Sequence, residues 1–229
     1  MKKYDVFLFD ADGTLYDYDK AEEYALRAMF EYCGFSYSES IRAKYRVINS
    51  EVWSAYEKGE LSVSDFPTIR FERLFSEIGI QYDDASDFNS RYLAELGKGT
   101  FLIDGAVEIC KEITASNKPI FIVTNGLLAT QEARIKHSLI KDYITDTFVS
   151  SFVGYQKPDK EYFDYVFSRI PQVNKDKILI IGDSLTADIA GGNNAGIDTC
   201  WYNEHGIENS TDIEPIYEIR HLSEIQKFI

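Results

Sequence analysis

The chain has few of the residues that build disulfide frameworks, zinc centres or nucleic-acid interfaces. Its 229 residues contain three cysteines, Cys33, Cys110 and Cys200, scattered, odd in number and without a Cys-x-x-Cys pair. The three histidines, His137, His205 and His221, stand far apart. This argues against a disulfide-stapled fold or a Cys/His zinc site and for buried thiols in a reducing compartment. Glycine (14) and proline (5) are sparse, which excludes collagen-like and low-complexity chains. Basic charge is in deficit: 24 Lys and Arg against 38 Asp and Glu leave a net charge of −14. Such a surface repels polynucleotide phosphates and anionic lipid, so nucleic acid and membrane surfaces are not expected partners. A small anionic substrate remains compatible, because a site can be locally positive. No apolar stretch approaches the roughly 18 residues of a membrane span. The run that starts the chain breaks at Asp10, far short of a signal-peptide core. The expectation is a soluble cytoplasmic protein; there are no coiled-coil heptads, and the oligomeric state is not legible.

What is present is a rhythm of short apolar runs. Val6–Phe9, 120–123, 178–181 and 199–202 are continuous or nearly so, as in strands buried on both faces of a parallel sheet; 147–152 is a weaker candidate. Helical patterns lie near 104–115, 128–138, 158–169 and 186–195. Alternating strands and helices imply an α/β fold with a doubly wound, parallel, Rossmann-like sheet. Residues 17–98 break the rhythm. Four helices are expected there, near 17–33, 38–58, 64–78 and 84–97, with Gly34, Gly59 and Gly79 at helix ends and Ser36-x-x-Glu39 as a capping box. The expected domains are therefore a catalytic core of residues 1–16 and 99–229 and an inserted helical cap of residues 17–98. The insert follows the carboxyl end of the first strand, where ligands bind in such sheets, so it is expected to cover the site. Residues 217–229 should add an edge strand and a short helix.

Four segments carry chemistry, and each falls at or after the end of a strand or in a following loop. Asp10-Ala11-Asp12-Gly13-Thr14 places two carboxylates at the end of a buried strand, which is costly unless they are paired or metal-bound. Thr124-Asn125-Gly126 offers a hydroxyl, an amide and a glycine at a helix entrance, a cradle for an oxyanion or phosphate. Lys157 precedes Pro158, which can open a helix at its first position. Gly182-Asp183-Ser184-x-x-x-Asp188 adds two more carboxylates. Each alone has a bland reading as a turn or cap; their order, each on its own strand, favours a shared site. Converging carboxylates would repel one another, and a hard divalent cation such as Mg²⁺ cures this with oxygen ligands. Lys157 balances what remains. That arrangement suits phosphoryl transfer, with a carboxylate as nucleophile and a second one moving the proton.

These segments, in this order, resemble the four motifs of the haloacid dehalogenase superfamily, in its phosphatase branch. The stretches 9–18, 123–126, 154–158 and 182–189 are more closely similar to the noncanonical pyrimidine nucleotidase (5′-nucleotidase) branch. The resemblance implies Asp10 as nucleophile and Asp12 as general acid and base. It implies Thr124 and Lys157 as stabilisers of the phosphate and the phospho-enzyme, with Asn125 and Gly126 as further phosphate contacts. It implies Mg²⁺ held by Asp10, the backbone carbonyl of Asp12, and Asp183, with Asp188 as a direct ligand or its partner. The aromatic-rich 16–56 region fits either stacking on a nucleobase or packing at helical spacing, and Tyr16, next to the first motif, is the candidate substrate contact. The expected activity is Mg²⁺-dependent hydrolysis of a small phosphorylated metabolite, foremost a nucleoside 5′-monophosphate. Rivals are a sugar-phosphate phosphatase of the acyl-sugar type, a phosphosugar mutase and a non-catalytic phospho-ligand binding module.

Overall fold

The computed structural model describes residues 2–62, 66–172 and 174–229. The chain divides into two compact units, residues up to Tyr18 with Thr100–Ile229, and Asp19–Gly99.

The first unit is built on a parallel sheet of β1 (Val6–Phe9), β2 (Ile120–Thr124), β3 (Asp146–Val149), β4 (Ile178–Gly182), β5 (Asp198–Tyr202) and β6 (Tyr217–Ile219). Their spatial order is β3-β2-β1-β4-β5-β6, every pairing parallel. In β1, β2 and β4 every residue is buried, which is why their sequences are apolar without alternation. Successive side chains still point to opposite faces. Phe7, Phe9, Ile120, Ile122, Leu179 and Ile181 pack with Ile109 and Ile113 of α5 (Ala106–Ala115) and with Leu222, Ile225 and Phe228. Val6, Leu8, Phe121, Val123, Ile178 and Ile180 pack with Tyr162, Phe163 and Val166 of α8 (Lys160–Arg169). The sheet is thus covered on both faces. Its order reverses at β1, where β2 lies on one side and β4 on the other, the place where open α/β sheets form a ligand crevice.

Some local expectations are corrected. The run 147–152 is only half strand: β3 ends at Val149 and the chain turns into the short helix α7 (Ser150–Val153), closed by Gly154 in the left-handed region at φ 87°. Pro158 does not open a helix, because α8 begins at Lys160 behind Asp159. The pattern at 186–195 is a wide turn, Leu185–Ile189, that runs into α9 (Ala190–Ala195).

The second unit carries the rest of α1 (Tyr18–Tyr32), α2 (Glu39–Glu57), α3 (Phe66–Ile78) and α4 (Ala85–Lys98). The start expected for α3, at residues 64 and 65, lies outside the described residues. The cap of α2 is Ser38, not Ser36: its extended backbone stops the helix and its hydroxyl accepts from the Ile41 N–H at 3.3 Å, so Glu39 is the first helical residue rather than the third. The aromatic residues pack on one another. Phe30, Tyr45, Phe71, Phe88 and Tyr92 are fully buried, with the Phe71 and Phe88 ring centroids 4.8 Å apart. Among the described residues no helix is long and apolar enough to cross a membrane.

Candidate active site

Asp10 follows β1 and is tied back to the sheet by its N–H, which donates to the Ile181 carbonyl at 2.9 Å. Lys157, from the loop between α7 and α8, is buried, and its Nζ reaches Asp10 Oδ1 and Asp188 Oδ1, each at 2.6 Å, and the Val123 carbonyl at 2.8 Å. All three donors of the ammonium are therefore directed into the ends of β1, β2 and β4. Asp188 gets there through the wide turn: its own N–H and that of Ile189 both donate to the Ser184 carbonyl, and its Oδ2 accepts from the Ser184 N–H at 3.1 Å. Such a widened turn lets two carboxylates five residues apart, Asp183 and Asp188, serve one site.

Carboxylate oxygens of Asp10, Asp183 and Asp188 lie within 4.8 Å of one another. Two glycines allow this approach. A Cβ on Gly182 would overlap the Asp188 carboxyl, and one on Gly13 would come within 2.6 Å of Asp183 Oδ2. Gly13 also sits at φ 85°, where a side chain is strained.

Three carboxylates share one ammonium, and the electrostatics show the deficit. Burial pushes the Asp10 carboxyl well above the usual carboxylate range; Lys157 draws it down, while Asp188 and Asp183 push it up again. Asp183 is exposed, yet the crowding of protein around it, and then the Asp188 charge, raise its carboxyl to about 7. Lys157 moves the opposite way to what burial favours: Asp10 and Asp188 raise it above its ordinary value, so it stays charged. Hard oxygen donors with uncompensated negative charge fit a small divalent cation, and a set this limited leaves coordination places for water or phosphate oxygens.

The remaining expected site residues have distinct places. Thr124 ends β2 and is buried, with its Oγ1 accepting from the Gly126 N–H at 3.0 Å. Asn125 turns toward the protein: its Nδ2 donates to the Lys157 carbonyl and its Oδ1 accepts from the Lys157 N–H, both at 2.8 Å. Its side chain thus fixes the backbone that presents Lys157. Tyr16, expected next to a substrate, lies in the interior. It is fully buried among core residues, because it bridges the backbone at Asp12 and Leu102, and its ring lies 5.4 Å from the Arg134 guanidinium. The Asp12 side chain lies outside the Asp10, Asp183 and Asp188 set and contacts two residues of α6 (Leu128–His137). Arg134 donates to its Oδ1, and Gln131 Nε2 donates to its Oδ2 at 2.5 Å.

Sequence reasoning missed Gln131 and Arg134. Arg134 stands in the last turn of α6, where an arginine ordinarily answers the helix dipole from solvent. The available signal was their spacing of three, which puts both on one helix face just behind the Thr124-Asn125-Gly126 turn.

A family model, haloacid dehalogenase-like hydrolase, matches residues 4–196. YfnB of Bacillus subtilis, described as a HAD-hydrolase, is 43% identical over 225 residues, covering 98% of this chain and 95% of its own. Its crystal structure, bound to magnesium, superposes with a TM-score of 0.92 at 41% identity, over 99% of this chain and 98% of that one. The pyrimidine 5′-nucleotidase PynA of Streptococcus pneumoniae is 37% identical over 216 residues, 94% of this chain and 91% of its own. The pyrimidine 5′-nucleotidase YjjG of Escherichia coli is 29% identical over 227 residues, 99% and 98%.

Proposed function

Because this chain belongs to the haloacid dehalogenase-like hydrolases and is an enzyme of their phosphatase type, we propose that it hydrolyses a small phosphomonoester, foremost a nucleoside 5′-monophosphate. One observation carries the chemistry: buried Lys157 joins Asp10 and Asp188 at 2.6 Å each, with Asp183 in the same cluster. The relatives described as pyrimidine 5′-nucleotidases, at 37% and 29% identity, carry the substrate class.

Asp10 is the nucleophile. Lys157 on its Oδ1 fixes the carboxylate and favours its ionised form against the effect of burial. The carboxylate attacks phosphorus in line, the P–O ester bond breaks, and Asp12 gives its proton to the departing alkoxide. Asp12 then takes a proton from water, whose oxygen attacks the aspartyl-phosphate; inorganic phosphate leaves and Asp10 is restored. Asp10, Asp183 and the backbone carbonyl of Asp12 would hold Mg²⁺, which when bound offsets the charge of the carboxylates and the phosphoryl group. Asp188, both of whose oxygens already accept hydrogen bonds, braces Lys157. Thr124 and Gly126 line the phosphate end, and Asn125 acts through Lys157.

A phosphate-release screen over nucleoside monophosphates and sugar phosphates, with Mg²⁺ or with EDTA, tests this reading. The expected result is fastest release from nucleoside monophosphates, abolished by EDTA. Preference for sugar phosphates would replace the substrate class. An isomerised ester without free phosphate would make the protein a mutase. Ligand affinity without turnover would leave only a binding module.

A further inference from the structure

We propose that Arg134 and Gln131 are positioning residues for Asp12, holding its carboxylate where it exchanges protons with the leaving group and with water; this rests on the acid and base role given to Asp12 above. The two side chains leave one face of α6, three residues apart, and each takes a different oxygen of the same carboxylate. Two donors on two oxygens fix both the place and the rotation of a carboxylate, which one donor does not. Proton transfer needs that precision, since the donor must lie within hydrogen-bond reach of the atom it serves.

The arrangement is built rather than incidental. Gly126 is the site's third close approach: a Cβ there would overlap the Gln131 amide, so the glycine of the Thr124-Asn125-Gly126 turn makes room for Gln131. Arg134 is fully buried while the Asp12 side chain keeps 27% of its surface exposed. The pair therefore runs from the core outward, a buried guanidinium presenting a carboxylate to the exterior. Arg134 Nε, Arg134 Nη2 and Gln131 Oε1 are buried and find no hydrogen-bond partner among the described residues. Burying a guanidinium in this state is costly, and an apolar side chain of similar volume would serve packing better. Stability alone does not account for it.

The test separates proton transfer from general damage by the leaving group. Phenyl phosphate and p-nitrophenyl phosphate share ring and charge, but phenolate needs a proton to leave far more than p-nitrophenolate does. Asp12→Asn, Arg134→Met, Arg134→Lys and Gln131→Met would be compared with the wild type by kcat/KM on both esters, with circular dichroism to verify folding. The inference predicts that Arg134→Met loses about tenfold more on phenyl phosphate than on p-nitrophenyl phosphate. Gln131→Met should show the same bias more weakly, and Arg134→Lys should recover part of the loss. Equal losses on the two esters, or no loss, in Arg134→Met and Gln131→Met would overturn it. Should Arg134→Met fail to fold, Gln131→Met decides by the same criterion. Absence of leaving-group bias in Asp12→Asn itself would instead refute the acid and base role of Asp12, and the inference with it. Bias in Asp12→Asn but in neither α6 variant refutes the inference alone.

Discussion

Each unit of this chain buries charge, and the two do so in opposite ways. In the helical unit, Arg70 is buried with neutral partners: Nη1 donates to Asn49 at 3.0 Å, Nη2 to Asn89 at 2.8 Å and Nε to the Pro67 carbonyl at 3.0 Å, with the Tyr92 ring 4.9 Å away. Asp19, Glu22, Glu23 and Glu39 face Arg27, Arg42 and Arg46, and with Arg70, whose charge also acts on Glu22, four carboxylates meet four guanidinium groups. In the sheet unit, Asp10, Asp183 and Asp188 gather around the single ammonium of Lys157 among the described residues. The helical network is matched in sign, although burial still raises the Glu22 carboxyl within it. An unbalanced one is further stabilised by positive charge brought from outside, which is what a cation provides.

The largest effect expected from that difference is on turnover. Asp10→Asn should lower kcat by roughly 10⁴-fold or more, while the melting temperature in EDTA stays level or rises, because a buried carboxylate with like-charged neighbours is gone. No single substitution in the helical network should have that pair of effects. Next comes stability. Lys157→Met strands three carboxylates and should cost about 3–5 kcal/mol in metal-free buffer, read by urea unfolding of the full chain. Arg70→Met removes hydrogen bonds to the neutral acceptors Asn49, Asn89 and Pro67 and should cost less, about 1–3 kcal/mol. Equal costs would erase the contrast.

A third expectation concerns pH. Burial, opposed chiefly by Arg46, raises the Glu22 carboxyl from an ordinary value of 4.5 to about 7. The folded chain then keeps a proton that the unfolded chain releases between these values, so stability falls as pH rises from about 4.5 through about 7 and levels off above. Glu22→Gln removes that slope, and the difference between variant and wild type should grow to about 3 kcal/mol by pH 8. A difference that is constant with pH would place Glu22 outside the buried network. The smallest effect is at Asn125. Asn125→Ala frees the Lys157 backbone without touching its ammonium, and kcat should fall by about 10-fold to 100-fold with little change in melting temperature.

The same contrast explains what could be read in advance. Asp10, Thr124 and Asp183 stand out because chemistry-bearing side chains at the ends of wholly apolar runs have no packing role to explain them, whereas Lys157, in a loop beyond β3, stands out only by its place in the order of the four segments. The sheet was legible for the same reason, since Val6–Phe9 and Ile178–Ile181 are apolar on both faces. Arg134 and Asn125 were not legible in their roles: an arginine late in a helix and an asparagine before a glycine have ordinary surface explanations, and only the three-dimensional approach of Asp12 and of the Lys157 backbone replaces them. Tyr16 is adjacent to the first motif in the chain, yet its backbone bridges to Asp12 and its ring is buried in the core. Asp188 needed the wide turn at Leu185–Ile189, which no residue pattern announces.

The central claim is that the carboxylates around Lys157 form one cation-dependent site. Calorimetric titration of Mg²⁺ into the full chain, wild type and Asp183→Asn, at pH 8 tests it most directly. The account predicts one ion per chain in the wild type and an affinity lower by about 10-fold or more in Asp183→Asn. No binding by the wild type at millimolar Mg²⁺, or the same affinity in both proteins, would contradict it.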